Sequence, residues 1–476
     1  MVVQHNMQAA NANRMLNVTT GQQAKSTEKL SSGYRINRAA DDAAGLSISE
    51  KMRKQIRGLD KASSNAEDGV SSVQTAEGAL TEVHSMLQRM NELATQSANG
   101  TNSTTDRSAI QDEISQLTTE IDRVAETTKF NETYLLKGGD GTKLEYMKGH
   151  DAGLKGTLTD GTTTATFKVA AGALDEGKSV TIGGKDYTIG SAVADVQDAV
   201  DKLTAADDKV TVNDKTYTYV AANSEAPGGQ TVTTAGWVLD GDKTSTTGTK
   251  LTIANGDKVT TTPKTGASAS YTAAEMDNGV SKADPSIISA EKAVSLMKDE
   301  LIAANKVGVT NGTVEITGNP AYDKDNGVTF NINKGSAEVA NKLSFSLHVG
   351  SDADMTNKIT VGIETMNSSY LGIKGLNVND DSGIAGTYAI DAISDALQKV
   401  SDQRSSLGAV QNRLEHTIDN LDNVVENTTS AESRIRDTDM AKEMVNYSKN
   451  NILAQAGQSM LAQANQSNQG VLSLLQ

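Results

Sequence analysis

The chain has 476 residues, a formal net charge of −16 and no cysteine. Its length suffices for about three domains of roughly 100–200 residues each. The acidic balance argues against a nucleic-acid-binding protein, which needs a basic face, and the lack of cysteine excludes disulfides and thiolate metal sites.

Other features of composition narrow the class of protein further. Aromatic residues make up 3% of the chain and prolines number 4, so a large enzyme core packed with aromatic side chains is not expected. No window reaches the roughly 18 uncharged, mainly apolar residues of a membrane span. The N-terminus, MVVQHNMQAANANR, lacks the charged-then-apolar layout of a cleaved secretory signal.

The first 136 residues are predicted to be helical, since they are rich in Ala, Gln, Glu and Ser and contain no proline. Gly33 is placed to end one helix, and Asp41 or Asp42 to cap the next. Apolar residues then recur every three or four positions along two stripes, which predicts two helices that pack by one face. The first stripe comprises Met52, Ile56, Leu59, Ser63, Ala66, Val70, Val73, Glu77, Leu80, His84 and Leu87, and the second comprises Ile110, Ile114, Leu117, Ile121 and Val124.

The middle of the chain, from about 138 to 383, is rich in Thr, Gly and Asp, which predicts strands and turns. VTIGGKDYTI (180–189) and VTVNDKTYTY (210–219) repeat one another, and each contains a two-residue turn typical of a hairpin. GVTNGTVEIT (308–317) predicts another hairpin. Because 191–206 and 284–305 have helical patterns, the middle is expected to form one or two small α+β domains.

The block 385–476 carries the strongest helical signal. Ten of the fourteen positions that alternate by three and four from Ile390 to Ile435 are apolar, which meets the coiled-coil criterion of several sustained heptads. LSFSLHVG (343–350) and KITVGIE (358–364) predict a hairpin just before it. The predicted fold class is multi-domain α+β: a long antiparallel, coiled-coil-like helical rod built from both chain ends, with a β-hairpin and an inserted β-rich or α+β variable region.

The chain ends on an apolar segment that a single copy leaves incomplete. No charged residue follows Lys449, and a helix with a narrow apolar stripe gains most of its stability from packing. The weakly apolar N-terminal segment cannot cover it alone, whereas head-to-tail packing of many copies would cover it and give an open helical polymer unless the rotation closes. The predicted self-assembly residues are Leu453, Met460, Val471, Leu472, Leu474 and Leu475.

The first 58 residues are basic within an acidic chain. They carry nine Lys or Arg against four Asp or Glu, hence a net charge of +5. We predict that this basic stretch meets acidic surfaces of adjacent copies, a contact that salt would weaken.

Several stretches resemble the conserved signatures of bacterial flagellins. They are KLSSGYRINRAADDAAGLSISEKMR (29–53), LQRMNELATQSANGTNSTTDRSAIQDEI (87–114) and SMLAQANQSNQGVLSLLQ (459–476). The likeness covers roughly the first 140 and the last 135 residues, in order, which chance matching rarely produces. On these residues the chain is similar to a flagellin.

The resemblance implies a plan of three parts. Residues 1–42 and 438–476 would form a terminal helical filament core, 43–140 and 341–437 a helical rod domain with the hairpin, and 141–340 a variable, surface-exposed insertion. Such a chain is a structural subunit that self-assembles as a homopolymer into the bacterial flagellar filament for motility.

The resemblance also implies partners and a location. A flagellar export chaperone, cap proteins and hook-junction proteins would be the further bacterial partners. Flagellins are exported unfolded through the flagellum, so an extracellular location without a cleaved signal peptide is expected. Neither nucleic acid, nor a membrane, nor a cofactor is expected.

In flagellins, the stretch that matches 87–114 is bound by the flagellin-sensing Toll-like receptor of the host. The contacting arginine, leucine and glutamate of the family fall on Arg89, Leu93 and Glu113, whereas Met90 and Asn91 differ from many relatives. An arginine beside an apolar residue is a typical hot-spot composition. The alternative is that Arg89 and Glu113 contact a neighbouring subunit and that Leu93 packs inside its own chain.

Catalytic and metal-binding motifs are weak throughout. The 5 histidines are scattered, no H-E-x-x-H motif occurs, and DKDNG (323–327) matches only part of a calcium loop. The chain is therefore predicted not to be an enzyme. Two other functions stay open: a hook–filament junction protein, which shares the helical ends, and a secreted adhesin or enzyme with its chemistry in the middle region.

Overall fold

The computed structural model describes residues 6–380 and 383–474, the last seven of these by their backbone alone. Long helices occupy both ends of the described chain, and short helices lie between them. The α-helices are α1 Met7–Ser32, α2 Ala43–Ser97, α3 Thr104–Thr127, α4 Val193–Asp201, α5 Ala290–Asn305, α6 Ser368–Leu371, α7 Ile384–Arg436 and α8 Met440–Leu474. A single 3₁₀ turn, Met355–Asn357, precedes the last strand of these ranges.

The strands all lie between α3 and α7, as the composition predicts. Those that precede α5 are β1 Lys129–Phe130, β2 Thr133–Tyr134, β3 Gly139–Tyr146, β4 Thr157–Asp160, β5 Thr164–Val169, β6 Ser179–Ile182, β7 Lys185–Ile189, β8 Ser191–Ala192, β9 Lys209–Val212, β10 Lys215–Val220, β11 Ser224–Glu225, β12 Thr231–Val232, β13 Gly236–Leu239, β14 Lys258–Thr262, β15 Ala269–Ala274, β16 Met276–Asp277, β17 Val280–Ser281 and β18 Ile287–Ile288. Those that follow it are β19 Glu315–Thr317, β20 Val328–Asn333, β21 Ser336–Asn341, β22 Leu343–His348 and β23 Lys358–Ile363.

The limits of the first two helices follow from their capping residues. The Asn6 side chain accepts a hydrogen bond from the N–H of Ala9 at 2.9 Å and so caps α1. Gly33 ends α1 with φ at 75°, a left-handed conformation that favours glycine. Asp42 caps α2, since its carboxylate accepts the N–H of Gly45 at 2.9 Å. The predicted break between these helices is confirmed.

Contacts divide the chain into two compact units, which we call unit 1 and unit 2. Unit 1 comprises Met1–Gln74, Phe345–Val361 and Leu407–Gln476. Unit 2 comprises Thr75–Ser344 and Gly362–Ser406. The helices α2 and α7 each contribute residues to both units.

In unit 1, α2 and α7 pack along the apolar stripes that the sequence predicts. Leu59 clusters with Leu421, and Ala66 clusters with Leu414 and with the hairpin of β22 and β23. Because the position on α2 rises as the partner's position on α7 falls, these segments run antiparallel. The long helices from the two chain ends therefore bury one another, and the predicted hairpin packs on them.

In unit 2, α3 buries the stripe that the sequence predicts for it. Ile110, Ile114 and Ile121 are buried, with exposures of 6%, 1% and 0%. Ser103 and Asp106 start the helix as a reciprocal capping box.

The middle of unit 2 contains two hydrophobic cores. The first lies between α5 and the sheets β16-β17-β18-β7-β6 and β19-β20-β5-β4, with the rings of Phe167 and Phe330 6.2 Å apart at their centroids. The second lies between α4 and the sheet β13-β10-β9-β14-β15-β8, where Val196 and Val200 pack on Val210. The predicted α+β character of the middle is confirmed.

Of the predicted hairpins in the middle region, the repeat is confirmed and the third is wrong. β6 pairs β7 and β9 pairs β10, both antiparallel. The turn residues Gly183-Gly184 and Asn213-Asp214 all have positive φ, as primed two-residue turns require. In 308–317, by contrast, β19 pairs β20, and this pairing places Ile316 in the first core.

Candidate assembly surface

The helices α1 and α8 of unit 1 pack against each other and leave an open groove between them. The groove has a volume of about 730 Å³, and its largest apolar side chains come from both helices. Asn6 ties the two helices together at one end, since its Nδ2 donates to the carbonyl oxygen of Ala464 at 3.2 Å. The apolar residues that line the groove include Met15, Leu16, Leu453, Ala456 and Met460.

The groove residues remain in contact with solvent although they are apolar. Met15 and Met460 are each 60% exposed, and Leu453 is 48% exposed. Apolar side chains this exposed on one contiguous surface mark an interaction site. Of the other predicted self-assembly residues, the side chains of Val471, Leu472 and Leu474, and Leu475 as a whole, lie outside the described residues.

A second apolar patch on α8 was not predicted from the sequence. Met444, Val445 and Ile452 are 53%, 68% and 66% exposed, and they border a shallow depression of about 450 Å³. The signal for Met444 and Ile452 lies in the spacing, since Met440, Met444, Ile452 and Met460 recur at multiples of four residues. A row with this spacing winds slowly around a helix of 3.6 residues per turn. It therefore does not match a stripe that alternates by three and four residues.

The breaks at α1–α2 and at α7–α8 lie side by side in unit 1. The N–H of Arg35 donates to the carbonyl oxygen of Arg436 at 2.6 Å, and the N–H of Thr438 donates to that of Gly33 at 2.9 Å. These reciprocal bonds make a short antiparallel bridge. Backbone hydrogen bonds therefore hold the link between α1 and α2 against the link between α7 and α8.

Side chains reinforce this bridge around Tyr34. The guanidinium groups of Arg53 and Arg436 lie 5.8 and 4.9 Å from the centre of the Tyr34 ring. Arg53 also pairs with Glu432 at 3.5 Å, and Arg436 with Glu50 at 3.0 Å. The aromatic ring thus lies near two guanidinium groups, each paired with a carboxylate, and such cation–π contacts stabilise the junction.

In unit 2, Arg89 projects from α2 and binds two carboxylates at the surface. Its Nε donates to Glu113 Oε1 at 2.9 Å, and its Nη1 donates to Glu92 Oε2 at 3.1 Å. The hydrogen bonds to Glu113 and then to Glu92 raise the pKa of Arg89. The Arg89 and Glu113 side chains are 50% and 44% exposed, so the structure brings these two predicted receptor residues together on an accessible surface.

Leu93, the third predicted receptor residue, does not share that surface. Its exposed fraction is 2%, because it lies on the face of α2 that packs into unit 2. A side chain with this burial is not available to a partner, so Leu93 fits the alternative of packing within its own chain.

Glu176 of unit 2 is a buried carboxyl group that the sequence did not point to. Ser191 Oγ donates to Glu176 Oε1, and the N–H of Thr272 donates to the same carboxylate. Its Oε2 is buried without a hydrogen-bond partner. Burial raises the pKa of Glu176 to about 7, against the opposing effects of the Thr272 bond and of Lys324.

The described part of the chain contains no group of three or more His, Asp or Glu side chains that could hold a metal ion. In the loop 323–327 the Asp323 carboxylate instead accepts the N–H groups of Asp325 and Asn326, at 2.8 and 3.1 Å. Among the helices of the same residues, none has the length and apolar character needed to cross a membrane.

Comparison with known proteins decides the family. The profile of the bacterial flagellin N-terminal helical region matches residues 3–140, and that of the C-terminal helical region matches 390–475. A flagellin of Clostridium tyrobutyricum is 41% identical over 472 residues, which cover 98% of this chain and 100% of that protein. The chain belongs to the flagellin family.

Other flagellins also match the chain over nearly the whole length of both proteins. The flagellin of Bacillus subtilis is 34% identical over 477 residues, 100% of both chains. Flagellin B of Vibrio anguillarum is 34% identical over 473 residues, 99% of both chains. The resemblance inferred from the two ends is therefore confirmed, and the similarity extends through the middle.

Solved structures of flagellar proteins are also similar to this family member. FliC from Burkholderia pseudomallei is 20% identical, with a TM-score of 0.28 over 72% of this chain and 99% of that one. Flagellar hook-associated protein 3 from Legionella pneumophila is 13% identical, with a TM-score of 0.33 over 81% and 98%.

Proposed function

We propose that the protein is the structural subunit of a bacterial flagellar filament for motility and that copies polymerise through the apolar faces of α1 and α8. The observation that carries this proposal is the open groove in which Met15, Leu453 and Met460 remain 48–60% exposed. Membership of the flagellin family supports it, because flagellins form the filament.

The driving force would be the burial of apolar surface. Removing such surface from water stabilises an association by about 25 cal/mol per Å². The groove lies between α1 and α8, and the patch around Val445 and Ile452 lies on α8, so one copy offers two apolar surfaces to its neighbours. When unlike surfaces meet between identical copies and the rotation from copy to copy does not close into a ring, the product is an open polymer.

The three-part plan of the family would apply to this chain. Residues 1–42 and 438–476 would form the filament core, 43–140 and 341–437 the helical rod, and 141–340 the exposed outer part. The helix breaks at 33–42 and 437–439 support the first of these boundaries.

Seeded assembly tests the proposal directly. Purified full-length chain is added to sheared filament seeds, and the products are measured by electron microscopy and sedimentation. We expect long filaments from the intact chain and none from a chain that ends at residue 437. Circular dichroism of the shortened chain checks that α2 and α7 remain folded, and filaments that survive the truncation would refute the role of α8.

We infer a second role for the surface around Arg89 and Glu113, as a contact for the flagellin-sensing Toll-like receptor. The support is an exposed guanidinium group held in place by two carboxylates, which can exchange its partners for those of a receptor. The same surface can contact a neighbouring subunit in a filament. Recognition of the free chain would then compete with assembly.

Export through the flagellum without a cleaved signal peptide, and contacts with an export chaperone, cap and hook-junction proteins, stay predictions. They follow from the family resemblance alone, and no contact described above bears on them.

A further inference from the structure

One side of α2 in unit 1 carries basic side chains without acidic partners. Lys51, Lys54, Arg57 and Lys61 are all exposed, and no ion pair of the described residues includes any of them. Lys54, Arg57 and Lys61 point away from the seam that buries Leu59, because positions three or four apart share a face at 3.6 residues per turn. We call these four residues the basic stripe.

The part of α7 in unit 1 carries a matching set of acids. Glu415, Asp419, Asp422 and Glu426 follow one another by four, three and four residues, which places them on one face, and all are exposed. Among the described residues, only neutral groups donate hydrogen bonds to these carboxylates. Gln411 Nε2 donates to Glu415 at 2.9 Å, and Ser63 Oγ donates to Asp422 at 3.1 Å. We call these four residues the acidic stripe.

The two stripes are opposite in charge, equal in the number of charges and similar in length. Each carries four like charges, and at 1.5 Å per residue they extend over about 15 and about 17 Å. Within one copy they do not neutralise each other, since no ion pair joins a residue of one to a residue of the other across the described residues. In each copy, the basic stripe is therefore free to pair with the acidic stripe of a neighbouring copy.

A second copy of the chain is the partner that fits both stripes. A polyanion such as nucleic acid would suit the basic stripe but would be repelled by a chain of net charge −16, and it would leave the acidic stripe unpartnered. A second copy supplies both surfaces, with four charges on each and with similar lengths.

We propose that the basic stripe of one copy docks on the acidic stripe of another, so that unit 1 of neighbouring copies associates side by side. This inference rests on the proposed filament function and adds a specific contact to it. The contact joins unlike surfaces, so it repeats from copy to copy as an open polymer requires. Exposed ion pairs add little affinity each, so their main effects are on register and on the rate of encounter.

Charge reversal in the full-length chain tests the contact. One variant combines Lys54→Glu, Arg57→Glu and Lys61→Glu, and a second combines Glu415→Lys, Asp419→Lys and Glu426→Lys. A third chain carries both sets. The control variant combines Lys155→Glu, Lys185→Glu and Lys215→Glu, three exposed lysines of unit 2, and changes the net charge as the first variant does.

Seeded elongation at low salt is the measurement, with circular dichroism to verify the helix content of every variant. Each singly reversed chain should need a roughly tenfold or higher concentration to elongate, as three exposed pairs made repulsive imply. Two samples again bring stripes of opposite charge together. One is an equimolar mixture of the two singly reversed chains, and the other is the doubly reversed chain alone. Both should elongate again, and the control variant should elongate like the unmodified chain.

The outcomes separate this contact from the filament proposal. An unmodified chain that leaves seeds unextended overturns the proposed function. Normal elongation by both singly reversed chains, or failure of their mixture although both are folded, overturns the stripe contact alone. The deficit of the reversed chains should also shrink in 1 M salt, where the screening length is about 3 Å.

Discussion

Met15 of α1 and Met460 of α8 line the same groove, and each leaves 60% of its surface exposed. Two helices of one chain thus pack together without burying the apolar residues that face the space between them. We expect the ends of a single folded copy to be less stable than those of assembled copies, because further apolar surface would be buried when another copy fills the groove.

A charge in the groove should prevent assembly. Met460→Asp would place a carboxylate where a neighbour's apolar surface must dock, and an unpaired buried charge is strongly unfavourable. Gln458→Asp is the matched control, since Gln458 is exposed on the other side of α8. Sedimentation after seeding should show polymer for the control and none for Met460→Asp. Equal yields of polymer would remove the groove from the interface.

The receptor surface can be tested with two comparable arginines. Arg89→Ala should weaken binding of the free chain to the receptor ectodomain by roughly tenfold or more, as hot-spot arginines do. Arg123→Ala is the control, since Arg123 pairs with Glu120 on the same unit and is also exposed. Surface plasmon resonance measures both affinities. If the two variants bind the receptor with equal affinity, the assignment of the family's receptor-contacting arginine to Arg89 is wrong.

The junction at Tyr34 should contribute measurably to the stability of unit 1. Tyr34→Leu removes the ring that contacts Arg53 and Arg436 and should lower the free energy of unfolding by about 1–2 kcal/mol, from the loss of two cation–π contacts. Tyr34→Phe keeps the ring and should lose much less.

Urea unfolding followed by circular dichroism measures this difference. The fluorescence of Trp237, which is the single tryptophan and lies in unit 2, should report an unchanged transition in both variants. Identical midpoints for the Leu and Phe variants would show that the ring contributes nothing.

The stability of unit 2 should depend on pH through Glu176. Its pKa of about 7 in the folded chain lies above the ordinary value of 4.5, so the folded form holds this proton more tightly than the unfolded form. Below pH 4.5 both forms are protonated. As the pH rises towards 7 the unfolded form ionises first, so the free energy of unfolding falls, and above 7 the loss is complete.

Glu176→Gln should remove this dependence, because the amide stays neutral at every pH. We expect the variant to unfold at a higher temperature than the unmodified chain at pH 8 and at a similar temperature near pH 4, as followed by Trp237 fluorescence. Glu82→Gln, at an exposed carboxylate in the interior of α2 and in unit 2, should leave the midpoint unchanged at both values. A variant less stable at pH 8 would contradict the raised pKa.

Much of the fold follows from local signals in the sequence. The stripes of α2, α3 and α7 are readable because a helix repeats every 3.6 residues. Gly33 and Asp42 mark the break between the first two helices, Gly33 by its left-handed backbone and Asp42 by its capping carboxylate. The hairpins at 180–189 and 210–219 are readable because their turns need residues that tolerate positive φ.

The pairing of more distant strands was decided by the tertiary structure. Asn311-Gly312 has the composition of a hairpin turn, yet β19 pairs β20 and Asn311 forms a bridge with Ser336. The two repeated hairpins enter different sheets, and β18 pairs β7 in parallel from about a hundred residues away. A turn preference is small beside the burial of a side chain such as Ile316, and burial depends on which faces remain open.

The same distinction applies to the candidate site. The uncharged tail and the position of Arg89 were visible in the sequence alone, because both depend on residue type and spacing. The burial of Leu93, the contact of Tyr34 with two arginines, and the facing of Met15 and Met460 became visible only with the tertiary structure. Which side of a helix meets solvent is set by its neighbours in space, and periodicity along one helix does not identify those neighbours.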